Sequence, residues 1–253
     1  MSGAARNERK RRQEAAATPS VGRIPGSGAG KDNRVTIGVT VAVVIVVAIA
    51  AVFLVVTKPW ASPTPVAASY PVTADGVVVT AGQANAPVTI DLYEDYLCPY
   101  CERLESRSGA DITTALNQGK VKVNYHALNI LEDRTTPPGY STLAANAALC
   151  AVPAGIWPDF HERLFVEQPA EGSAGLTAAQ LTQIGTELGA GPGFGACVEA
   201  NAQAPAIKAA TEAAVVDPGL QTDGQFGTPS VALDGRKIDV SASDWLSQVI
   251  AGG

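Results

Sequence analysis

The chain lacks much of what common enzyme families rely on. Its 253 residues hold two histidines, one methionine and four cysteines. With only His126 and His161, far apart, a Cys–His hydrolase is poorly served, as is a histidine-rich metal site. No GxSxG, no phosphate-binding GxxxxGK[ST] and no GxGxxG occurs, which removes the signatures of α/β-hydrolases, P-loop proteins and dinucleotide folds. No internal repeat is visible, which argues against a solenoid. Basic residues are scarce after Lys58: nine against 21 acidic ones in 59–253. That deficit argues against a nucleic-acid partner. What is present, 46% apolar and 17% charged residues, suits a globular protein rather than a disordered or collagen-like one.

Charge is divided unevenly. Residues 1–34 carry eight basic and three acidic side chains. Between this head and the acidic remainder runs Val35 to Val56, 22 residues without charge or proline. As a helix it measures about 33 Å, enough for a hydrocarbon core of roughly 30 Å. In lipid the backbone must satisfy its own hydrogen bonds, so a helix prevails over the strand that Val and Ile prefer in water. A cleaved secretory signal is the alternative, with Ala67 and Ala68 as a weak cleavage site, but its apolar region is ordinarily about 7–15 residues behind a short basic start. Eight basic residues before the span and only Lys58 close behind it put the N-terminus in the cytoplasm and export the rest. Trp60 suits the far interface. The head reads as disordered. Residues 57–75, with Pro59, Pro63, Pro65 and Pro71, read as an extended tether.

Residues 76–253 form the exported domain. Strands are expected at Val77–Thr80, Val88–Tyr93, Lys120–His126, Ser230–Leu233 and Lys237–Val240, the last two joined by the hairpin signal Asp234-Gly235. Helices are expected from the CPYC segment to about Leu116, and at Ser141–Val152, Ile156–Val166, Thr177–Leu188, Pro205–Val216 and Ala242–Ala251. Gly172, Gly189, Gly191 and Gly193 read as punctuation between them. The order is that of an α/β domain with a helical insertion at about 135–205.

Outside the reducing cytosol, cysteines are read as disulfides or redox pairs. Cys98-Pro99-Tyr100-Cys101 follows a strand and opens a helix. Pro99 fits the first turn, where its missing N–H is no loss. The i, i+3 spacing brings both sulfurs to one side within disulfide reach. Free N–H groups and the positive end of the helix dipole favour a Cys98 thiolate, so its pKa is expected below about 8.5. A stabilised thiolate is a better leaving group and makes the disulfide a stronger oxidant. Cys101, one turn in, is expected to be more buried and to resolve mixed disulfides formed at Cys98. The competing readings are an inert bridge and a zinc site, and zinc ordinarily needs two close cysteine pairs. Cys150 and Cys197 are 47 positions apart in the insertion and read as a structural disulfide. A second redox pair is the alternative.

VTIDLYEDYLCPYC, the helical insertion and Gly227-Thr228-Pro229-Ser230 before the terminal hairpin together resemble a DsbA-like member of the thioredoxin superfamily, over about residues 76–253. The resemblance implies a thioredoxin-like fold. It implies that Pro229 is a cis-proline beside the active disulfide, with Thr228 facing Cys98. It also implies reduced or unfolded exported proteins as substrates, and a quinone-linked membrane reoxidase of the DsbB or VKOR type. It implies no cofactor and no metal. One departure stands out: the buried acid many such proteins carry six residues before the first cysteine is Leu92 here. Glu94, on the same strand face as Leu92, is the substitute candidate for proton handling, against the plainer reading of a solvated strand-end carboxylate. His126 reads as a packed or surface histidine and His161, beside Asp159 and Glu162, as part of a solvated helix face. Tyr96, Tyr100 and Phe226 lie near the site and read either as substrate contacts or as packing.

The expectation is therefore a membrane-anchored, extracytoplasmic enzyme that introduces disulfides through Cys98 and Cys101. The alternatives are a reductase or isomerase on the same fold, and a non-catalytic thioredoxin-like binding module.

Overall fold

The computed structural model describes residues 66–252. The expected head, the membrane span and residues 57–65 of the tether lie outside them. Among the described residues no helix is long and apolar enough to cross a membrane.

Alternating apolar residues build the sheet. Strand β1 is Val72–Asp75, β2 Val78–Gly82, β3 Val88–Glu94, β4 Val121–Ala127, β5 Ser230–Leu233 and β6 Arg236–Lys237, and they assemble in the order β1-β2-β4-β3-β5-β6. Only β3 and β4 pair in parallel, with Leu92 opposite Tyr125. That pairing needs a crossover, supplied by helix α1, Pro99–Asn117. One sheet face carries Val88, Ile90, Leu92, Val121, Val123 and Tyr125, all buried. Helix α7, Trp245–Gly252, meets α1 there, and Trp245 Nε1 donates to Ser108 Oγ at 3.1 Å. The other face carries a half-buried polar row. Thr80 Oγ1 donates to Asn124 Oδ1, Asn124 Nδ2 donates to Asp91 Oδ1, and His126 lies 3.0 Å from the same oxygen.

The insertion contains α2, Tyr140–Ala151; α3, Trp157–Val166; α4, Ala178–Glu187; α5, Gly193–Ala200; and α6, Ala204–Val216. In α2 every residue but Leu143 is buried. Its alanines explain how neighbours can pack around it: small side chains let α3, α5 and α6 approach from several sides. Cys150 at its end is bonded to Cys197 of α5, with 5.9 Å between their Cα atoms. Beside the bridge, Asn146 Oδ1 accepts Gln203 N at 3.2 Å.

Three stretches differ from the sequence reading. Residues 66–75 were assigned to the tether, yet Val72–Asp75 pairs with β2, and Asn117 holds Ser69 N at 2.7 Å and Ala67 O at 2.9 Å. The two-residue turn is Gly76-Val77, between the paired Asp75 and Val78, with Gly76 at a φ of 56°. Residues 193–200 are helical although glycines interrupt them. A Cβ on Gly195 would meet Thr182 at 2.8 Å, so glycine there admits α4 rather than ending α5. Cys197 accordingly lies inside a helix of its own. The last strand stops at Lys237, and Asp239 Oδ1 then takes Ser241 N at 2.8 Å, a local turn that competes with extension.

Candidate active site

The end of β3 sets the site. Glu94 continues the buried face of Leu92, and Asp95 follows as the chain leaves the sheet. Asp95 is fully buried. Its Oδ1 accepts Leu97 N at 2.8 Å and Ser141 Oγ at 2.7 Å, and its Oδ2 accepts Leu131 N at 2.9 Å. Its carbonyl accepts Cys98 N at 2.9 Å. These bonds turn the chain so that Cys98 becomes the N-cap of α1 and Pro99 its first residue. The Cys98 carbonyl accepts Cys101 N at 3.0 Å and Glu102 N at 3.2 Å, closing the first turn.

Cys98 and Cys101 are both free thiols in this structure. In the thiol form Cys98 Sγ donates to the Thr228 carbonyl at 3.3 Å, bringing together residues 130 apart. The Thr228–Pro229 peptide is cis. Ser230 Oγ donates to Gly227 O at 2.6 Å, fastening that loop to β5. Pro229 lines an open groove with Pro218, Gln221, Val231 and Ile238. Tyr100 points outward, 64% exposed, with the Arg103 guanidinium 5.0 Å from its ring centre. Tyr96 is buried instead, packed on Phe165, and Phe226 packs on Tyr93.

The two cysteines are alike in solvent exposure, at 4% and 3%, but Cys101 is packed more deeply, as expected. They differ in electrostatics. A hydrogen bond from the Cys101 thiol, opposed by burial and joined by Thr228 and the Cys101 and Tyr100 amides, lowers Cys98 to about 6. The largest cause is therefore the partner thiol rather than the helix amides that sequence reasoning credited. Burial, followed by the bond to Cys98, holds Cys101 well above the usual thiol range. At neutral pH this favours the Cys98 thiolate over the thiol. The arrangement presents one ionised sulfur and keeps a protonated one behind it.

Glu94 and His161 are not solvated. Glu94 is 2% and His161 4% exposed, and His161 Nε2 lies 2.7 Å from Glu94 Oε1. Trp157, His161 and Phe165 recur every four residues on α3 with Leu164 beside them, an apolar stripe that faces the core. That spacing was the available signal for a buried His161. Sequence reasoning also passed over Asp95 as a buried group and Gln168, whose Nε2 donates to Tyr96 O at 3.0 Å and Cys98 O at 3.2 Å.

Residues 74–251 match the family model described as thioredoxin, and the chain belongs to that family. The MdbA protein from Corynebacterium matruchotii, a thiol-disulfide oxidoreductase, is similar over 73% of this chain and 93% of its own, with TM-score 0.62 and 26% identity. The reduced form of the disulfide bond oxidoreductase DsbG from Mycobacterium tuberculosis is similar over 70% of this chain and 86% of its own, with TM-score 0.59 and 26% identity. The fold and enzyme class are thus those of a DsbA-type thiol–disulfide oxidoreductase. The serine/threonine-protein kinase PknE of M. tuberculosis is 30% identical over 182 residues, 70% of this chain. The chain spans about a third of that curated relative's length, at 31%.

Proposed function

We propose that this chain is a membrane-anchored, extracytoplasmic oxidase that donates the Cys98–Cys101 disulfide to exported proteins. The observation that carries the reading is the cap position of Cys98: its sulfur meets the Thr228-Pro229 loop while Cys101 sits one turn deeper. A substrate thiolate attacks Cys98 of the oxidised pair, and Cys101 leaves. A second substrate thiol attacks the mixed disulfide and releases Cys98 as the thiolate its surroundings favour. The substrate gains a disulfide, and the enzyme keeps two electrons and becomes the dithiol. A low Cys98 pKa stabilises that dithiol and so favours donation over reduction. Pro229 and Thr228 receive the substrate strand, and Tyr100 contacts it from the rim. The Cys150–Cys197 bridge serves structure only. The span at 35–56 anchors the domain outside the cytoplasm, beside a quinone-linked reoxidase of the DsbB or VKOR type. The kinase activity named for PknE is not carried over, since only 31% of that protein is matched.

Redox equilibration of the full-length chain against glutathione tests the direction. A potential well above that of thioredoxin, about −270 mV, supports the oxidase. A potential near it makes the chain a reductase. Cys98→Ser is expected to abolish oxidation of a reduced test protein, and Cys101→Ser to accumulate mixed disulfides.

A further inference from the structure

Charge is spread unevenly around the redox turn. Residues 59–253 hold nine basic side chains against 21 acidic ones, yet three of the nine gather at one groove. Arg236 and Lys237 line the groove that begins at Pro229, a cavity of about 700 Å³. Arg107 of α1 donates Nη2 to the carbonyl of Val240, another lining residue, at 2.6 Å. Arg103, one turn before Arg107, lies over Tyr100 at the rim. None of these cations forms an ion pair among the described residues. Among the described residues Asp239 is the only carboxylate lining the groove, and its Oδ1 is already taken by Ser241 N. The opposite charge collects on a different flank of α1. There Glu102, Glu105 and Glu162 line the cleft against α3, without a basic residue. A cleft lined by one sign of charge concentrates partners of the other sign.

We propose that this groove selects substrates carrying Asp or Glu close to the reacting cysteine, with Arg236 and Lys237 as the specificity-determining pair. The proposal rests on the dithiol–disulfide reading above and names its substrate class. The spacing follows from the strand register. Cys98 Sγ meets the Thr228 carbonyl, and Pro229 starts the groove. Lys237 pairs with Ala232 and Arg236 with Leu233, three and four residues past Pro229. At about 3.3 Å per residue they lie roughly 10 and 13 Å along the strand. An extended substrate with its cysteine at Cys98 reaches them with the third or fourth residue from that cysteine. A carboxylate there meets cations that the protein leaves unpaired, and a guanidinium can take it through two parallel hydrogen bonds. A lysine at the same place brings like charges together. The cleft at Glu102 repels carboxylates, so it discriminates against the alternative placement of the same segment. Val231 and Ile238 supply apolar lining between Pro229 and the basic pair. The selection acts on encounter and docking; the attack on Cys98 and the departure of Cys101 are unaltered.

The test uses the oxidised full-length chain and peptides with two cysteines. Asp, Asn or Lys occupies the third and fourth positions outside each cysteine. Each turnover leaves the peptide with a disulfide and the chain as the dithiol, read by mass after acid quenching. Oxidation of each peptide by hydroxyethyl disulfide, a neutral reagent, corrects for its intrinsic thiol reactivity. After that correction the wild type is expected to oxidise the Asp peptide about tenfold faster than the Lys peptide at low salt. The ratio is expected to fall toward one at about 0.5 M salt, where the screening length is only about 4 Å. Arg236→Glu/Lys237→Glu is expected to reverse the order of the two peptides. Equal rates for the Asp and Lys peptides in the wild type at low salt overturn the proposal. A wild-type preference that survives charge reversal overturns it too. Oxidation of no peptide, the Asn peptide included, would instead sink the redox reading, and the selection with it. Should the reversed variant fold poorly, Arg236→Gln/Lys237→Gln decides. Its Asp-to-Lys ratio is expected near one, and an undiminished ratio overturns the assignment of this pair.

Discussion

Gln168 reaches from the end of α3 to donate its side-chain amide to the Cys98 carbonyl at 3.2 Å, so the helical insertion holds the redox turn directly. The same nitrogen donates to Tyr96 O at 3.0 Å. Gln168→Ala leaves the Tyr96 carbonyl short of a donor, and a lost bond of this kind costs about 1 kcal/mol. The loosened turn also weakens the contacts that hold the Cys98 thiolate. The variant is expected to melt a few degrees lower and to show a higher Cys98 titration midpoint in thiolate absorbance at 240 nm. A lower melting point with an unmoved midpoint would leave Gln168 with a packing role alone.

The lowered Cys98 pKa makes the stability of the reduced chain depend on pH. The group lies near 6 in the folded dithiol and near 8.5 when unfolded. Its contribution is full above the unfolded value and disappears as pH falls through about 6. The disulfide form lacks the group altogether. The melting temperature of the reduced chain, measured relative to the oxidised chain, is therefore expected to rise between pH 5 and pH 8. The Thr228 hydroxyl, as distinct from its carbonyl, hydrogen-bonds Cys98 and lowers it, so Thr228→Val, which removes only the hydroxyl, should shift that rise to higher pH. A difference that is flat with pH would mean that Cys98 titrates like a free thiol.

Much of this was legible in the chain because local chemistry and tertiary structure agree. VTIDLY alternates and forms β3 in that register. Pro99 after Cys98 starts a helix, and Asp234-Gly235 closes a hairpin. The unread parts share a cause: their roles are set by partners distant in sequence. Glu94 and His161 are 67 residues apart, and each taken alone resembles a surface residue. Gln168 acts on carbonyls 70 and 72 residues away. Gly193 reads as punctuation between helices, yet it opens α5. The order of the cysteine pKa values was readable, but its leading cause was not, since a thiol–thiol hydrogen bond depends on side-chain geometry.

Cys150 and Cys197 close a loop of about 48 residues, which in the chain-entropy picture stabilises the fold by about 4 kcal/mol. The bridge joins α2 to α5 within the insertion, where Asn146 already ties the same helices. The double variant Cys150→Ala/Cys197→Ala is expected to lose that stability in urea titrations. The Cys98 titration midpoint should remain near 6, because no bond of the redox turn involves α5. A large change in that midpoint would show that the bridge and the redox turn are coupled.

Asp95 offers the sharpest sign. Its carboxylate accepts three hydrogen bonds that favour the charge, but burial outweighs them and raises it to about 7. A carboxyl raised in the fold stabilises while protonated. That contribution is whole below about 4 and is lost as pH climbs to about 7, after which the native state carries a buried anion. Asp95→Asn keeps an oxygen for the amide donors and cannot ionise. Whatever its baseline cost, its stability relative to wild type is expected to improve from pH 4 to pH 8, by up to about 4 kcal/mol for a three-unit shift. Urea titrations of both chains in the disulfide form, where the Cys98 thiolate no longer repels Asp95, measure this directly. A difference that stays constant, or that falls with pH, would mean that the three hydrogen bonds prevail over burial and that Asp95 is an ordinary ionised turn residue.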